Sequence, residues 1–323
     1  MTLRRLDSKK AFSIILTVLL FFVLSGGCGQ NAETVVREEL KSISGLLERG
    51  AIEGAIKELG KFVIRHPKNA SGFYYRGIAQ YRKGDFESAI ANFDRAIQIN
   101  PKYTEAYDDR GVVYQESKKF DHAISDFSKA IEINPGYGQA YQHRGDLYKN
   151  MNNPDLALKD YDKAIQVNFR PAIMYFNRAR INYINGELKK ALSDYNEAID
   201  LNPKLFEAYA NRGIIYYEQG YFESAIADFD RAIIINPDDA DVYYDRAMVY
   251  VAIESYDKAV SDLSKAIEIN PVLADVYSAR AWVFLKKKNY DGAWNDVHKA
   301  ESIGQKIDPA FLEQLKRASE REK

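Results

Sequence analysis

Only one of the 323 residues is a cysteine, Cys28, and only four are histidines. A lone thiol cannot close an internal disulfide, so folding does not depend on redox state. A Cys–His nucleophile is excluded with it. The histidines, His66, His122, His143 and His298, stand far apart, and none has a second His or Cys at metal-ligand spacing. Net charge is also scarce: 45 Lys and Arg against 46 Asp and Glu leave −1. The first 27 residues carry Arg4, Arg5, Lys9 and Lys10 against Asp7, so the remainder stands at −4. A mildly acidic body lacks the basic stripe that phosphate neutralisation needs, which argues against nucleic acid. No glycine-rich phosphate loop is present, and no titratable groups converge in sequence, so we expect no enzyme, no cofactor and no metal. Long apolar runs are missing too. The longest, Ala11 to Leu24, falls short of the roughly 20 residues a bilayer span requires.

That short run, preceded by four cations, has the length of a signal-peptide hydrophobic region. It leads into Leu24-Ser25-Gly26-Gly27-Cys28, which resembles the lipobox of bacterial lipoproteins. The match departs at Ser25, where an aliphatic residue is usual; Leu24 lies one place earlier. The resemblance implies a signal segment over 1–27, lipidation of Cys28, and a tether over 28–35 ahead of a helix start near Glu33. Gly29, in place of an inner-membrane retention Asp, points to the outer membrane, facing the periplasm.

What is abundant is repetition. Asn-Pro recurs every 34 residues, at Asn100, Asn134, Asn202, Asn236 and Asn270, with Asn168-Phe169 in the missing place. A period of that length marks one helical hairpin copied many times. Within 70–103 the spacing predicts a first helix over about 70–83, a turn at Gly84-Asp85, and a second helix over about 86–99. Asn100 is expected to accept left-handed geometry after the last turn, and Pro101 to stop the helix. An aromatic recurs early in the first helix: Phe73, Tyr107, Tyr141, Tyr175, Tyr209, Tyr243, Tyr277. Four residues later stands Gly77, Gly111, Gly145, Ala179, Gly213, Ala247 or Ala281, and Ala89 with its equivalents answers from the second helix.

This pattern resembles the tetratricopeptide repeat, over residues 70 to 305 in seven copies. The resemblance implies an all-α fold, a right-handed α-solenoid (superhelix) of helix–turn–helix repeats. A degenerate N-terminal copy is expected over 36–69, keeping Ala55, Leu59 and Pro67. Residues 306–323 are expected to form a capping helix and charged tail, with Asp308-Pro309 as its start and Phe311, Leu312 and Leu315 as its apolar stripe. The junction at 169–171 is irregular, because Phe169 replaces Pro and Pro171 comes late. It is either a harmless variant or a local change of pitch.

One departure from the family pattern is regular. Arg76, Arg110, Arg144, Arg178, Arg212, Arg246 and Arg280 occupy a first-helix position that is often Leu. Asp126, Asp160, Asp194, Asp228, Asp262 and Asp296 occupy one second-helix position, with Asn92 in the first copy. We expect a structural Arg–Asp ion pair inside each hairpin, fixing geometry more than adding stability.

The family resemblance further implies that first helices line a concave groove that takes proteins or peptides. Carried over, the groove residues are Tyr74, Ile78 and Tyr81, then Phe176, Arg180, Tyr183 and Ile184. Ile214, Tyr217, Tyr244, Met248, Trp282 and Leu285 complete the set. Between them a polar stretch is expected from Asp108, Val112, Gln115, Glu116, Gln142, Asp146 and Lys149. The Lys and Asn clamp by which some relatives grip C-terminal carboxylates is not supplied. The expected function is a membrane-anchored scaffold or adaptor for envelope proteins such as peptidoglycan-processing, pilus or secretion machinery. The alternatives are a periplasmic holdase for extended clients and a self-assembling structural lipoprotein, so a homo-oligomer remains open.

Overall fold

The computed structural model describes residues 27–321, in which every regular element is an α-helix. The expected signal segment lies outside them save for the backbone of Gly27, as does the side chain of Cys28. Two compact units are distinguished, one ending at Asn153 and one beginning at Pro154. The first holds α1 (Gly27–Glu48), α2 (Ile52–Arg65), α3 (Ala70–Lys83), α4 (Phe86–Ile99), α5 (Thr104–Glu116), α6 (Phe120–Ile133) and α7 (Gly138–Asn150). The second holds α8 (Pro154–Gln166), α9 (Pro171–Ile184), α10 (Leu188–Leu201), α11 (Phe206–Glu218), α12 (Phe222–Ile235), α13 (Ala240–Ala252), α14 (Tyr256–Ile269), α15 (Ala274–Lys286), α16 (Tyr290–Ser302) and α17 (Pro309–Arg321). Within each unit consecutive helices pack as antiparallel neighbours, and each second helix also touches the first helix of the next hairpin.

Local chemistry sets the helix ends. The side chains of Asn69, Asp85, Asp239 and Asn289 accept from backbone N–H groups of the first turns they precede. The turn between paired helices needs a left-handed residue. Gly84, Gly186 and Gly220 supply it freely, whereas Lys118, Glu254 and Lys288 adopt it with φ of 59, 57 and 62°. The Asn of each Asn-Pro does not. Asn100 sits at φ −126°, ψ 91°, an extended conformation, and its Oδ1 accepts from Lys102 N at 3.1 Å. A following proline excludes helical geometry at this residue, so asparagine is used for a side-chain turn instead. The late proline of the irregular junction starts α9 at Pro171, after Asn168 and Arg170 both take positive φ.

A close approach at the small position holds each hairpin together. A Cβ built on Gly111 would lie 2.7 Å from the Phe127 ring, and one on Gly77 as close to Phe93. Where the first helix carries alanine, the facing residue shrinks in two of three hairpins: Ala247 faces Leu263, and Ala281 faces Val297. Small plus aromatic and medium plus aliphatic fill the same gap.

Both chain ends of the array are covered. Leu40, Ile43 and Leu47 of α1 are buried against Leu59, Phe62 and Val63 of α2. The helix start expected near Glu33 is therefore too late: α1 is already helical at Gly27, so the tether over 28–35 is helix, not extended chain. At the other end Leu315 of α17 is fully buried, with Phe311 and Leu312 half-buried beside it. Leu285, expected in the groove, is sealed beneath this helix at 7% exposure, in one cluster with Ile307 and Leu315. The cap takes the surface that a further repeat would have covered.

Gly111→Ala should destabilise the chain less when Phe127→Leu is present than when it is absent. A double-mutant cycle in urea should return a coupling of about 1 kcal/mol or more, and none would mean the gap is not shared.

Candidate functional site

Two faces of the first helices carry the polar chemistry. On the face turned to the second helices, the arginines of five hairpins make the same fork. Arg110 donates through Nε to Asp126 Oδ2 and through Nη2 to Asp126 Oδ1, both at 2.7 Å. Arg178, Arg212, Arg246 and Arg280 repeat this with Asp194, Asp228, Asp262 and Asp296 at 2.6–2.9 Å. The remaining Nη1 reaches back one hairpin. It donates to Asp94 from Arg110, to Asp162 from Arg178, to Asn196 from Arg212, to Asp230 from Arg246, and to Ser264 from Arg280. Arg144 makes the same backward bond to Ser128 Oγ at 2.8 Å, and Asp160 is buried in the other unit. In the first full copy Asn92 instead donates to Ser88 O within its own helix.

Rings enclose the guanidinium. Arg110 lies 5.5 Å from the Tyr107 centroid and 5.7 Å from that of Tyr114, and Arg246 is held likewise between Tyr243 and Tyr250. The carboxylates hold Arg110, Arg178 and Arg246 charged, well above the ordinary arginine value despite burial. Burial raises Asp126, with the Arg110 bond opposing. The backward bond and the enclosing rings were not foreseen from sequence. Their signal was there, since an acceptor-bearing residue stands at 94, 128, 162, 196, 230 and 264, at the 34-residue period.

The other face of the first helices differs between the units. In the first, Tyr74, Ile78 and Tyr81 are half-buried. Tyr74 donates to Asp109 Oδ2 and Tyr81 to Glu116 Oε1, each at 2.7 Å, binding α3 to α5. Asp108, expected on the open surface, is fully buried. It accepts from Gln139 Nε2 at 3.0 Å and lies 3.0 Å from His143 Nδ1. Burial pushes Asp109 up to about 6, with Asp108 adding and Tyr74 opposing. Against the cost of burial, the Asp108 bond holds His143 above its ordinary value.

In the second unit Phe176, Tyr183, Ile214, Tyr217, Tyr244, Met248 and Trp282 are half-buried, and Arg180 is exposed. Ile184 stands 78% exposed. Arg180 lies over the Phe176 ring at 5.8 Å, and Tyr183 donates to Glu218 Oε1 at 2.5 Å. Sequence reasoning passed over Asp245, a half-buried carboxylate between Tyr244 and Arg246. Burial, then Asp241 and Asp239, push it up to about 7. Among the described residues no metal-binding cluster occurs, and no helix is long and apolar enough to cross a membrane.

Comparison with known proteins places this geometry. Models described as "Tetratricopeptide repeat" match residues 70–103, 105–137, 138–170 and 240–272, and one described as "TPR repeat" matches 179–220 and 215–253. No curated protein matches the chain. A tetratricopeptide repeat protein from Parabacteroides merdae is 21% identical, covering 77% of this chain and 98% of its own, with a TM-score of 0.53. The C-terminal part of a TPR repeat-containing protein from Cytophaga hutchinsonii is 15% identical, covering 75% and 99%, at 0.62. YrrB, described as a TPR protein with an unusual peptide-binding site, is 23% identical, covering 58% and 97%, at 0.50. These likenesses concern the fold.

Asp262→Ala should lower stability by about 2–4 kcal/mol, because it strands a largely buried guanidinium. The pair Arg246→Leu with Asp262→Leu should cost less than that single change in urea unfolding. A pH series supplies a second check. Asp109 and Asp245 fold with values above the roughly 3.9 of an unfolded aspartate, so the folded state binds more protons between about 4 and 7. Their effect lowers stability as pH rises through that window. The raised His143 acts in the same direction, its contribution being present below about 6.5 and lost above its folded value. The urea midpoint should therefore fall from pH 5.5 to pH 8, and Asp109→Asn with Asp245→Asn should flatten the fall.

Proposed function

We propose that this chain, which belongs to the tetratricopeptide repeat family, is a non-enzymatic scaffold that holds another polypeptide against its first helices. The observation that carries the reading is the row of half-exposed side chains in the second unit. Phe176, Tyr183, Ile214, Tyr217, Tyr244, Met248 and Trp282 share one side of successive first helices, and Ile184 stands out beside them. Apolar surface left open in this way marks interaction sites, and aromatics with Met and Arg are the residue types enriched there. The surface is lined mainly by apolar and aromatic side chains, which suits capture of a chain segment better than chemistry on a small molecule. YrrB, by its description, has a peptide-binding site, and a peptide or protein segment is the ligand proposed here.

The lipobox-like stretch ending at Cys28 supports a lipid anchor, with Cys28 as the modified residue. Helical rise from that point would carry the chain only about 12 Å over eight residues. The array would then work beside the membrane, on the periplasmic side of the outer membrane if Gly29 is read as a sorting residue. In that place the scaffold would assemble envelope proteins.

A photo-crosslinking amino acid at position 217, followed by mass spectrometry of adducts from the envelope, tests the reading. One or two recurrent proteins are expected; a broad set of unrelated segments would make it a holdase, and adducts with itself alone a structural self-assembling protein. Substituting Tyr183, Tyr217 and Trp282 together by Ala should abolish capture by the native chain with helicity unchanged. Undiminished capture would show that the surface lies elsewhere. Cys28→Ser should release the protein from the membrane fraction.

A further inference from the structure

The second unit's groove carries a charge that no described residue pairs with. Asp245 lies on α13, half-buried, and takes part in no hydrogen bond or ion pair among the described residues. Arg246, next in sequence, is turned to the opposite face and committed to Asp262 and Asp230. The cations on the groove side are committed as well. Arg180 covers the Phe176 ring, and Lys286 Nζ sits 4.8 Å from the centre of Trp282.

Around Asp245 the neighbouring helices add negative charge and phenol rings. Its own helix brings Asp241, with Asp239 capping the N-terminus. Its charge reaches the phenol groups of Tyr183 and Tyr244, and Tyr217 and Asp275 act on Tyr244 in turn. Glu218 and Asp275 already accept bonds, from Tyr183 and Gln305. Asp245 keeps its acceptor capacity.

A carboxylate drawn partly out of water is disfavoured unless a cation joins it, and the attraction strengthens where water is excluded. Phenol rings beside it offer a second attraction to the same cation, through their faces. An acidic ligand would meet like charge at Asp245, Asp241 and Asp239.

We propose that this groove selects extended polypeptide segments bearing a lysine or arginine, whose side chain pairs with Asp245 among Tyr183, Tyr217 and Tyr244. This rests on the groove reading above and names its ligand class. Apolar residues flanking the basic one would lie on Ile214 and Met248.

The test uses the purified full chain on an array of random 12-residue peptides, then fluorescence anisotropy with one retained peptide and its copy carrying norleucine for the basic residue. Retained peptides should be enriched in Lys or Arg beside apolar residues, and norleucine should weaken binding by about tenfold or more. Asp245→Asn should weaken the basic peptide similarly and leave the norleucine copy unchanged. Asp245→Lys should shift the retained set toward Glu and Asp. Folding of each variant is read from its helicity; neither change removes an existing bond. Peptides retained without charge preference, or a basic peptide indifferent to both variants, would overturn this inference and leave the groove reading standing. An array that retains nothing would overturn both.

Discussion

The stack depends on a guanidinium that binds two hairpins at once. A repeat array has no long-range contacts to fix its geometry, so each unit must set the angle of the next through local bonds. Apolar packing alone tolerates sliding, because alanine and leucine surfaces are nearly uniform. A planar fork with five donors does not slide. Arg110, Arg178, Arg212, Arg246 and Arg280 each fill two donors with the Asp of their own second helix and one with the preceding second helix. Rings on the same helix at three residues before and four after hold the fork flat. Desolvation offsets much of the Coulomb gain, so the device specifies geometry more than it adds net stability.

The first helix is thereby divided between two tasks. Its inward face is consumed by the small residue, the early aromatic and the fork. Gly111 lets the Phe127 ring lie directly on the backbone, which brings the helix pair close enough for the fork to span it. The outward face takes no part in the fork, and its residue types differ from repeat to repeat. Variation is what it shows: Asp108, Gln142, Phe176, Ala210, Tyr244 and Ser278 occupy one repeat position. A rigidly held surface whose residues differ between repeats suits recognition.

How far this was legible follows from which forces are periodic. The hairpins were, because helix period, turn and Asn-Pro recur with the 34-residue spacing. Asn100 shows the limit: its presence marked a helix end, but its extended φ follows from the proline after it, not from its own tolerance of left-handed geometry. Leu285 shows another. It has the same repeat position as Tyr183 and Tyr217, and only the docking of α17 decides that it is buried. Asp108 likewise reads as a groove residue until His143 and Gln139, one repeat on, close over it. The backward bond of each arginine joins residues 16 apart, a spacing that neither helix nor strand period picks out.

The two units put the same outward face to different use. In the first, the polar groups have found partners within the chain: Tyr74 with Asp109, Tyr81 with Glu116, His143 and Gln139 with Asp108. Every such bond joins one first helix to the next, so the polar face there acts as a seam. A ligand would have to break bonds of equal quality to compete, and gains little by doing so. In the second unit the seam is partial. Tyr183 reaches Glu218, yet Asp245 takes part in no hydrogen bond or ion pair among the described residues. A chain that bonds the polar face of one unit across successive helices and leaves a charge unmet on the other has unequal affinities along its length. The unmet charge is where an incoming donor gains most, because it relieves a cost the folded chain already bears. Binding strength should therefore concentrate around α11 and α13, with the first unit contributing rigidity.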